Sequence, residues 1–247
     1  MSTETPLLSR PATLAELRAR LDALETGMRR AGPAALPFGL AAIDEALPWG
    51  GLPRGALHEI MGADSDGAAA GFCVALLARL AALGPVIWIA PAGELYAPGL
   101  AALGLDPARL VLVEATRRTD KLWALEEALR TPVLSAAVAE IDALDLTASR
   151  RLQLAAEAHG VTALLLGRRG AASATTRTTA ARTRWHIAAK PGASRAGDIG
   201  PPRWRLTLEH CRGGTPAAWN VEWHTGEWRE VAPAVDRPAR AKASGAR

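Results

Sequence analysis

The residues with the clearest chemical meaning lie at positions 62–69, G-A-D-S-D-G-A-A, between an apolar run and a helical segment. Phosphate-binding loops occupy such a turn and have the working form G-x-x-x-x-G-K-[ST]. Gly62 and Gly67 have the required separation, but Ala68 stands at the lysine position and Ala69 at the hydroxyl position. The stretch therefore indicates a phosphate loop without the two side chains that handle a nucleotide.

The two missing side chains have specific tasks in a working loop. The lysine neutralises the β- and γ-phosphates, and the hydroxyl holds Mg²⁺. A charge-assisted hydrogen bond contributes about 1.5–3 kcal/mol, and Asp66 adds a negative charge that repels phosphate. Backbone N–H groups at the helix N-terminus still favour an anion. The loop alone leaves two interpretations open: a phosphate site that has lost its chemistry, or an ordinary strand–turn–helix with two glycines.

Apolar runs and helical segments alternate along the middle of the chain. Strands are predicted at 56–61, 86–90, 110–114, 136–141 and 161–166, and helices at 68–83, 119–130 and 147–159. Thr147 is the predicted cap of the last helix. Because strands that are apolar throughout are buried on both faces, the pattern predicts an α/β fold with a mostly parallel central sheet flanked by helices. The alternating runs 203–211 and 219–224 predict a C-terminal antiparallel hairpin.

Residues 1–31 predict a separate amphipathic helix. Its apolar stripe recurs at steps of three and four residues and consists of Leu14, Leu17, Leu21, Leu24 and Met28. Gly32 and Pro33 end the helix, and a core domain is expected at 32–231. Since an isolated helix of this length is marginal in water, it must dock on another protein, on a second copy or on its own sheet. We favour a partner protein.

Charge is unevenly distributed along the 247 residues, although the net charge is only +4. Residues 1–149 carry 12 basic and 18 acidic side chains, whereas residues 150–247 carry 17 and 7. A basic loop in the second half supplies candidate contacts to DNA phosphates, namely Arg168, Arg169, Arg177, Arg182 and Arg184. The alternative is a solvated loop without a ligand. Trp185 begins an apolar run, which favours core packing over stacking on a base.

Cysteine content and hydropathy restrict the class of protein. Cys73 and Cys211 are far apart and form no C-x-x-C pair, which predicts reduced thiols and a cytoplasmic protein. No apolar run suits a membrane span, and the N-terminus lacks a secretory signal pattern. Residues 232–247 are expected to form a disordered basic tail. Core packing is predicted for the tryptophans near the hairpin, Trp204, Trp219, Trp223 and Trp228.

The residues before the phosphate loop carry a further pattern. Positions 36–60 read L-P-F-G-L-A-A-I-D-E-A-L-P-W-G-G-L-P-R-G-A-L-H-E-I, with an I-D-x-A-L helix, a G-G-L-P-x-G turn and a strand ending in E-I. This segment resembles the one that precedes the phosphate loop in RecA-type recombinases. Positions 103–110, L-G-L-D-P-A-R-L, also resemble a recombinase segment, and the similarity is ordered along about residues 36–225.

Within that group the chain most resembles the ImuA family. Members are short, have an N-terminal helix, lack a normal phosphate loop and end in a segment similar to R-W-R-L-T-L-E-H-C-R-G-G at 203–214. The resemblance implies a RecA-like core that serves as a non-catalytic adaptor in SOS-induced translesion mutagenesis. The implied partners are RecA and ImuB, an error-prone polymerase reached through ImuB, and DNA bound weakly; modulation of RecA filaments is a further expectation.

The resemblance also locates the recombinase catalytic positions. The activating glutamate corresponds to Ala92, with Glu94 two places further on, and the metal-organising aspartate corresponds to Glu140. The sensor Asn-Gln pair corresponds to Gly167 and Arg168. Together with the two alanines of the loop, these replacements predict a pseudo-ATPase without catalytic residues, metal or cofactor.

Two alternative functions remain open at this point. One is an ATP-dependent DNA-binding protein with an unorthodox nucleotide site. The other is a cell-division inhibitor similar to SulA, a group with a related fold that is also SOS-induced. The five histidines have no metal-ligand spacing, and the chain contains neither a G-x-S-x-G elbow nor a G-x-G-x-x-G after a strand. Metal, hydrolase and dinucleotide sites are therefore not predicted.

Overall fold

A nine-stranded sheet with helices on both faces forms the body of the computed structural model. The structure describes residues 34–62, 67–142, 144–168, 179–192, 200–224 and 226–231, and only the backbone of Arg168. The predicted helix at 1–31 and the predicted tail at 232–247 lie outside the described residues. The same holds for three of the candidate site residues, Asp66, Arg169 and Arg177.

The main sheet has the strand order β11-β10-β9-β8-β3-β7-β6-β4-β5. Its strands are β3 (Leu57–Gly62), β4 (Val86–Ala90), β5 (Leu110–Glu114), β6 (Ala136–Glu140), β7 (Thr162–Arg168), β8 (Thr183–Lys190), β9 (Arg203–Cys211), β10 (Ala217–His224) and β11 (Glu227–Glu230). A separate small sheet pairs β1 (Ala35–Leu36) with β2 (Leu52–Pro53). The strands from β8 to β5 run parallel to one another, whereas β8, β9, β10 and β11 pair antiparallel. The predicted fold class, with its mostly parallel sheet and C-terminal antiparallel hairpin, is confirmed.

The described residues form five α-helices beside the sheet: α1 (Ala41–Asp44), α2 (Ala68–Leu80), α3 (Ala97–Ala102), α4 (Arg118–Leu129) and α5 (Leu146–His159). Helix α2 packs on one face of the sheet, and α4 and α5 pack on the other. Each of these helices connects two parallel strands. Because such strand–helix–strand units all run the same way, the carboxyl ends of the parallel strands meet at one edge of the sheet and their amino ends at the other.

Helix α5 begins one residue earlier than predicted, and its cap is Asp145 rather than Thr147. The Asp145 carboxylate accepts a hydrogen bond from the Ala148 N–H at 2.7 Å. This bond satisfies one of the N–H groups that the first turn of a helix leaves unpaired. The prediction of Thr147 was wrong because Leu146 already has helical geometry, which moves the capping position to the acidic residue before it.

An aromatic cluster fills the face of the sheet that carries α2. Its members are Phe38, Phe72, Trp185, Trp204 and Trp228, and all five are buried. Neighbouring ring centroids lie 5.5–6.4 Å apart, within the range in which aromatic pairs contribute about 0.5–1.5 kcal/mol beyond burial. The predicted core packing is confirmed for Trp185 and for the tryptophans of the hairpin, of which Trp219 is only partly buried.

A chain of buried hydrogen bonds links β8 to the start of β3. The Trp185 indole N–H donates to Thr183 Oγ1 at 2.8 Å, and Thr183 Oγ1 lies 2.7 Å from His58 Nδ1. His58 Nε2 lies 2.9 Å from the Pro53 carbonyl oxygen. Since a carbonyl only accepts, Nε2 carries the proton and Nδ1 accepts from Thr183. Burial lowers the pKa of His58 to about 4, so its ring is neutral at pH 7.

Cys73 and Cys211 are both buried free thiols, as the sequence predicts. Among the described residues, no helix combines the length and the apolar character that a membrane span requires.

We expect His58→Gln to flatten the pH dependence of stability. Between pH 6.5 and 4 the unfolded chain protonates this histidine and the folded chain does not, so acidification destabilises the wild-type fold. The loss amounts to up to about 3 kcal/mol in the free energy of unfolding. Urea unfolding at pH 7, 5.5 and 4.5 measures it. His159→Gln, at an exposed position, is the control; parallel curves for wild type and His58→Gln would contradict the prediction.

Candidate functional site

A cavity of about 340 Å³ lies at the carboxyl edge of the sheet, where the sequence predicts the remnant of a nucleotide site. Gly62 ends β3 and Gly67 directly precedes α2, and both line the cavity. Ala69 and Glu140 also line it, while Ala68 is buried at the start of α2. The fold therefore brings together the described members of the predicted loop and the glutamate from the middle strand.

The two glycines of the loop are required by geometry. Gly67 has φ +60°, in the left-handed region that favours glycine. A Cβ on Gly62 would lie 2.5 Å from the Ala69 Cβ, so the end of β3 and the first turn of α2 are in direct contact. Both glycines are therefore fixed where the turn begins and ends, and the methyl side chains of Ala68 and Ala69 follow the second one.

Glu140, the last residue of β6, is held in the cavity by Trp88. The Trp88 indole N–H donates to Glu140 Oε1 at 3.0 Å. Burial raises the pKa of Glu140, and the carboxyl of Glu94 beside it raises this pKa further. The Trp88 N–H and the charge of Lys121 act in the opposite direction but do not cancel the effect. Glu140 therefore holds a proton more tightly than an exposed glutamate does.

Lys121 brings a cation into the cavity from α4. Its Nζ donates to the backbone carbonyl oxygen of Glu140 at 3.0 Å. Three carboxyl side chains line the same cavity, from Glu94, Glu140 and Asp142. Because acidic groups outnumber the one ammonium among the described lining residues, the cavity opposes the approach of a triphosphate. The N-terminus of α2 favours anions, but among the described lining residues only Lys121 adds a cationic side chain to it.

Only some of the predicted catalytic positions line the cavity. Ala92 is exposed and does not line the cavity, whereas Glu94, two residues further along, does. Gly167 lines the cavity at the end of β7, and Arg168 follows it. Glu94 is therefore the carboxylate closest in sequence to the expected activating position. Its carboxyl group contacts that of Glu140.

The arginines predicted to bind DNA do not form a free cationic surface in the described part of the chain. Arg182 pairs with Glu157, and Arg184 Nε lies 2.6 Å from Glu59 Oε2. Both arginine side chains are less than a quarter exposed. A phosphate that approached Arg182 or Arg184 would therefore compete with a carboxylate that is already bound.

The edge strand β5 presents the main apolar surface at one end of the sheet. Val111 and Leu112 are 48% and 45% exposed on opposite faces of the strand. No described strand pairs with the outer side of β5, so N–H and C=O groups there are open to another chain. The edge of β5 therefore combines open backbone groups with exposed apolar side chains. Trp123, on the helix α4 that follows β5 in the chain, is 67% exposed.

Three lining residues with polar side-chain atoms are not among the residues predicted from the sequence: Trp88, Lys121 and Asp142. One signal was available for Lys121, since it is the only lysine in residues 1–149. Asp142 follows the strand that ends in Glu140, and side chains after a parallel strand gather at the carboxyl edge. Trp88 lies within an apolar run, where nothing local distinguishes it from an ordinary core residue.

Comparison with known proteins adds a close relative. The chain is 44% identical over 213 residues to Protein ImuA of two Caulobacter vibrioides strains. The match covers 81% of this chain and 87% of each relative. No protein-family model matches the chain.

We expect the acidic side chains to be the main barrier to nucleotide binding. Glu94→Gln combined with Glu140→Gln removes two acidic groups, and should strengthen binding of magnesium-free ATP about tenfold, equivalent to about 1.4 kcal/mol. Isothermal titration calorimetry measures the change, with Glu127→Gln on the exposed side of α4 as the matched control. Micromolar Mg²⁺–ATP binding with turnover by the wild-type chain would contradict the assignment of a lost nucleotide site.

Proposed function

The chain belongs to the ImuA family, and from this premise we propose that it is a non-catalytic RecA-like adaptor in SOS-induced translesion mutagenesis. It binds ImuB and RecA, and through ImuB it reaches an error-prone polymerase. Contact with RecA also gives it a means of modulating RecA filaments. We place the protein in the cytoplasm, where a reducing environment suits the free thiols of Cys73 and Cys211.

The observation that carries the non-catalytic role is the composition of the cavity at Gly62. A phosphoryl-transfer site needs cations around the phosphates and a hydroxyl for Mg²⁺. Here Ala68 and Ala69 replace those groups, and carboxyl side chains line the space. The fold keeps the framework of the site, and we propose that the framework now serves as a scaffold for protein contacts.

Two surfaces support an adaptor role. One is the described edge at β5, with Val111 and Leu112, and Trp123 on α4 is a further exposed apolar side chain. Exposed tryptophans are frequent anchors in protein interfaces. The other is the stripe of Leu14, Leu17, Leu21, Leu24 and Met28, which we propose as the face of a partner-binding helix.

DNA binding is a minor part of the proposal. Arg168, Arg169, Arg177, Arg182 and Arg184 are its candidate contacts. We propose that this binding is weak, because two of the five already pair with Glu59 and Glu157 and because the remaining phosphate contacts would be salt-sensitive.

We expect Leu17→Asp combined with Leu21→Asp to abolish co-purification with ImuB or RecA while leaving the core folded. Two charges on the stripe remove the apolar area that would be buried, about 1.5–3 kcal/mol for each side chain. Pull-down against purified RecA and ImuB measures binding, and circular dichroism monitors folding. Arg18→Glu, off the stripe, is the control. Unfolding of the double variant would instead assign the helix to the core, and unchanged binding to both partners would reject its role.

A second test addresses the strand edge. Val111→Lys combined with Leu112→Lys should weaken binding to RecA or ImuB about tenfold or more, because lysines on an edge strand oppose pairing with another chain. Both positions are about half exposed, so the fold is retained. Leu154→Lys, at an exposed position on α5, is the matched control for adding charge to an apolar surface. Equal affinities of the β5 variant and the wild type for both partners would remove this edge from the proposal.

A further inference from the structure

A second cavity, of about 410 Å³, lies at the opposite edge of the sheet, where the parallel strands begin. Its lining comes from the turns before three neighbouring strands. Gly55 precedes β3, Gly160 precedes β7 and Arg182 precedes β8. Arg54 and Glu157 also line the cavity. Strand β3 has six residues and spans about 20 Å, so this cavity and the one at the carboxyl edge are well separated.

The backbone around the second cavity is fixed by close packing. Gly55 has φ +62°, and a Cβ there would lie 3.0 Å from the Gly160 Cα, so the two turns are in contact. The Arg182 N–H donates to the carbonyl oxygen of the first β3 residue at 2.8 Å. The Arg54 N–H donates at 2.8 Å to the carbonyl oxygen of the residue before β1. The main chain of both arginines is therefore positioned without any ligand.

The side chains of the cavity carry an excess of positive charge. Arg182 pairs with Glu157, whose Oε1 also accepts from Gln153 Nε2 at 2.7 Å. The Nε atoms of Arg54 and Arg182 are shielded from solvent and have no hydrogen-bond partner among the described residues. Within the same residues, Arg54 forms no ion pair. Among the described lining residues, two guanidinium groups are therefore matched by one carboxylate, which already accepts from Arg182 and Gln153.

This arrangement has the chemistry of an oxyanion site. A planar guanidinium binds phosphate or carboxylate oxygens with two parallel hydrogen bonds, and two guanidinium side chains line this cavity. A carboxylate has two oxygens, and a single guanidinium group can bind both of them. A phosphate group offers more oxygens and more charge, and so can accept from two guanidinium groups at once.

We propose that Arg54 and Arg182 form a binding site for a phosphate group at the amino edge of the sheet. Glu157 sets the affinity, because its carboxylate competes with the ligand for Arg182. The site is independent of the proposed adaptor function. It lies at the amino edge of the sheet, opposite the carboxyl edge where Gly62 and Gly67 lie.

The test uses inorganic phosphate as the probe and the full chain as the protein. Calorimetric titration at constant ionic strength should give saturable binding at one site in the wild type. Arg54→Gln and Arg182→Gln should each weaken binding about fivefold or more, since each removes a charged donor. Glu157→Gln should strengthen binding about threefold, because it removes the competing carboxylate. A purely structural role for these residues would not produce changes of opposite sign.

Two further variants keep the result interpretable. Arg151→Gln removes an exposed arginine on α5 that pairs with Glu126, and phosphate affinity should not change. Arg54→Lys keeps the positive charge but loses the planar pair of donors, so it should retain part of the phosphate affinity. Partial affinity in this variant would show that the weaker binding of Arg54→Gln is not caused by misfolding. The proposal would be overturned if the wild type showed no saturable binding or if all variants had equal affinity. It would also be overturned if Lys121→Gln lost binding, because that result would place the anion in the cavity at the carboxyl edge.

Discussion

The position of β3 at the centre of the sheet is the constraint on which the rest of the structure depends. The strand pairs with β7 on one side and β8 on the other, and it is almost entirely buried. Its backbone groups are therefore committed to two parallel ladders, and displacement would leave them unpaired in the core. The two ends of β3 lie next to different cavities. The strand therefore fixes Gly62, its last residue, at the acidic cavity, and it positions the turn before it, which contains Arg54, at the basic cavity.

The two cavities lie at opposite ends of the parallel strands and differ in the charge of their side chains, acidic at the carboxyl edge and basic at the amino edge. At the carboxyl edge, helix N-termini normally favour anions, but here Glu94, Glu140 and Asp142 line the space. At the amino edge, where helices end, two arginines line the cavity and one of them pairs with Glu157. The charged side chains of each cavity thus complement the helix dipoles around it and offset the potential that those dipoles would offer to a ligand. Side-chain composition, rather than the fold, decides which ligands each edge can accept.

Much of the architecture follows from local pattern. Strands at 86–90 and 110–114 are predicted to the residue, since unbroken apolar runs bounded by turns have few other solutions. Strands β8 and β11 were not predicted: β8 follows a basic, aperiodic stretch, and its place beside β3 depends on pairing with residues more than 120 positions away. Among the site residues, Gly62, Gly67, Ala69 and Glu140 are predicted and meet, whereas Ala92 is displaced from the cavity by two residues.

The sequence alone determined that alanines stand where a working phosphate loop has a lysine and a hydroxyl residue, because the identity of Ala68 and Ala69 and the spacing of the two glycines are local facts. It also carried the family resemblance that the relatives bear out. Only the tertiary structure decided that Lys121 lines the same cavity as three carboxyl groups, and that Arg54 and Arg182 line one cavity at the start of the parallel strands. The reason is physical: residue type and period are encoded in neighbouring positions, but encounters between distant side chains depend on strand order, which emerges when the whole sheet assembles.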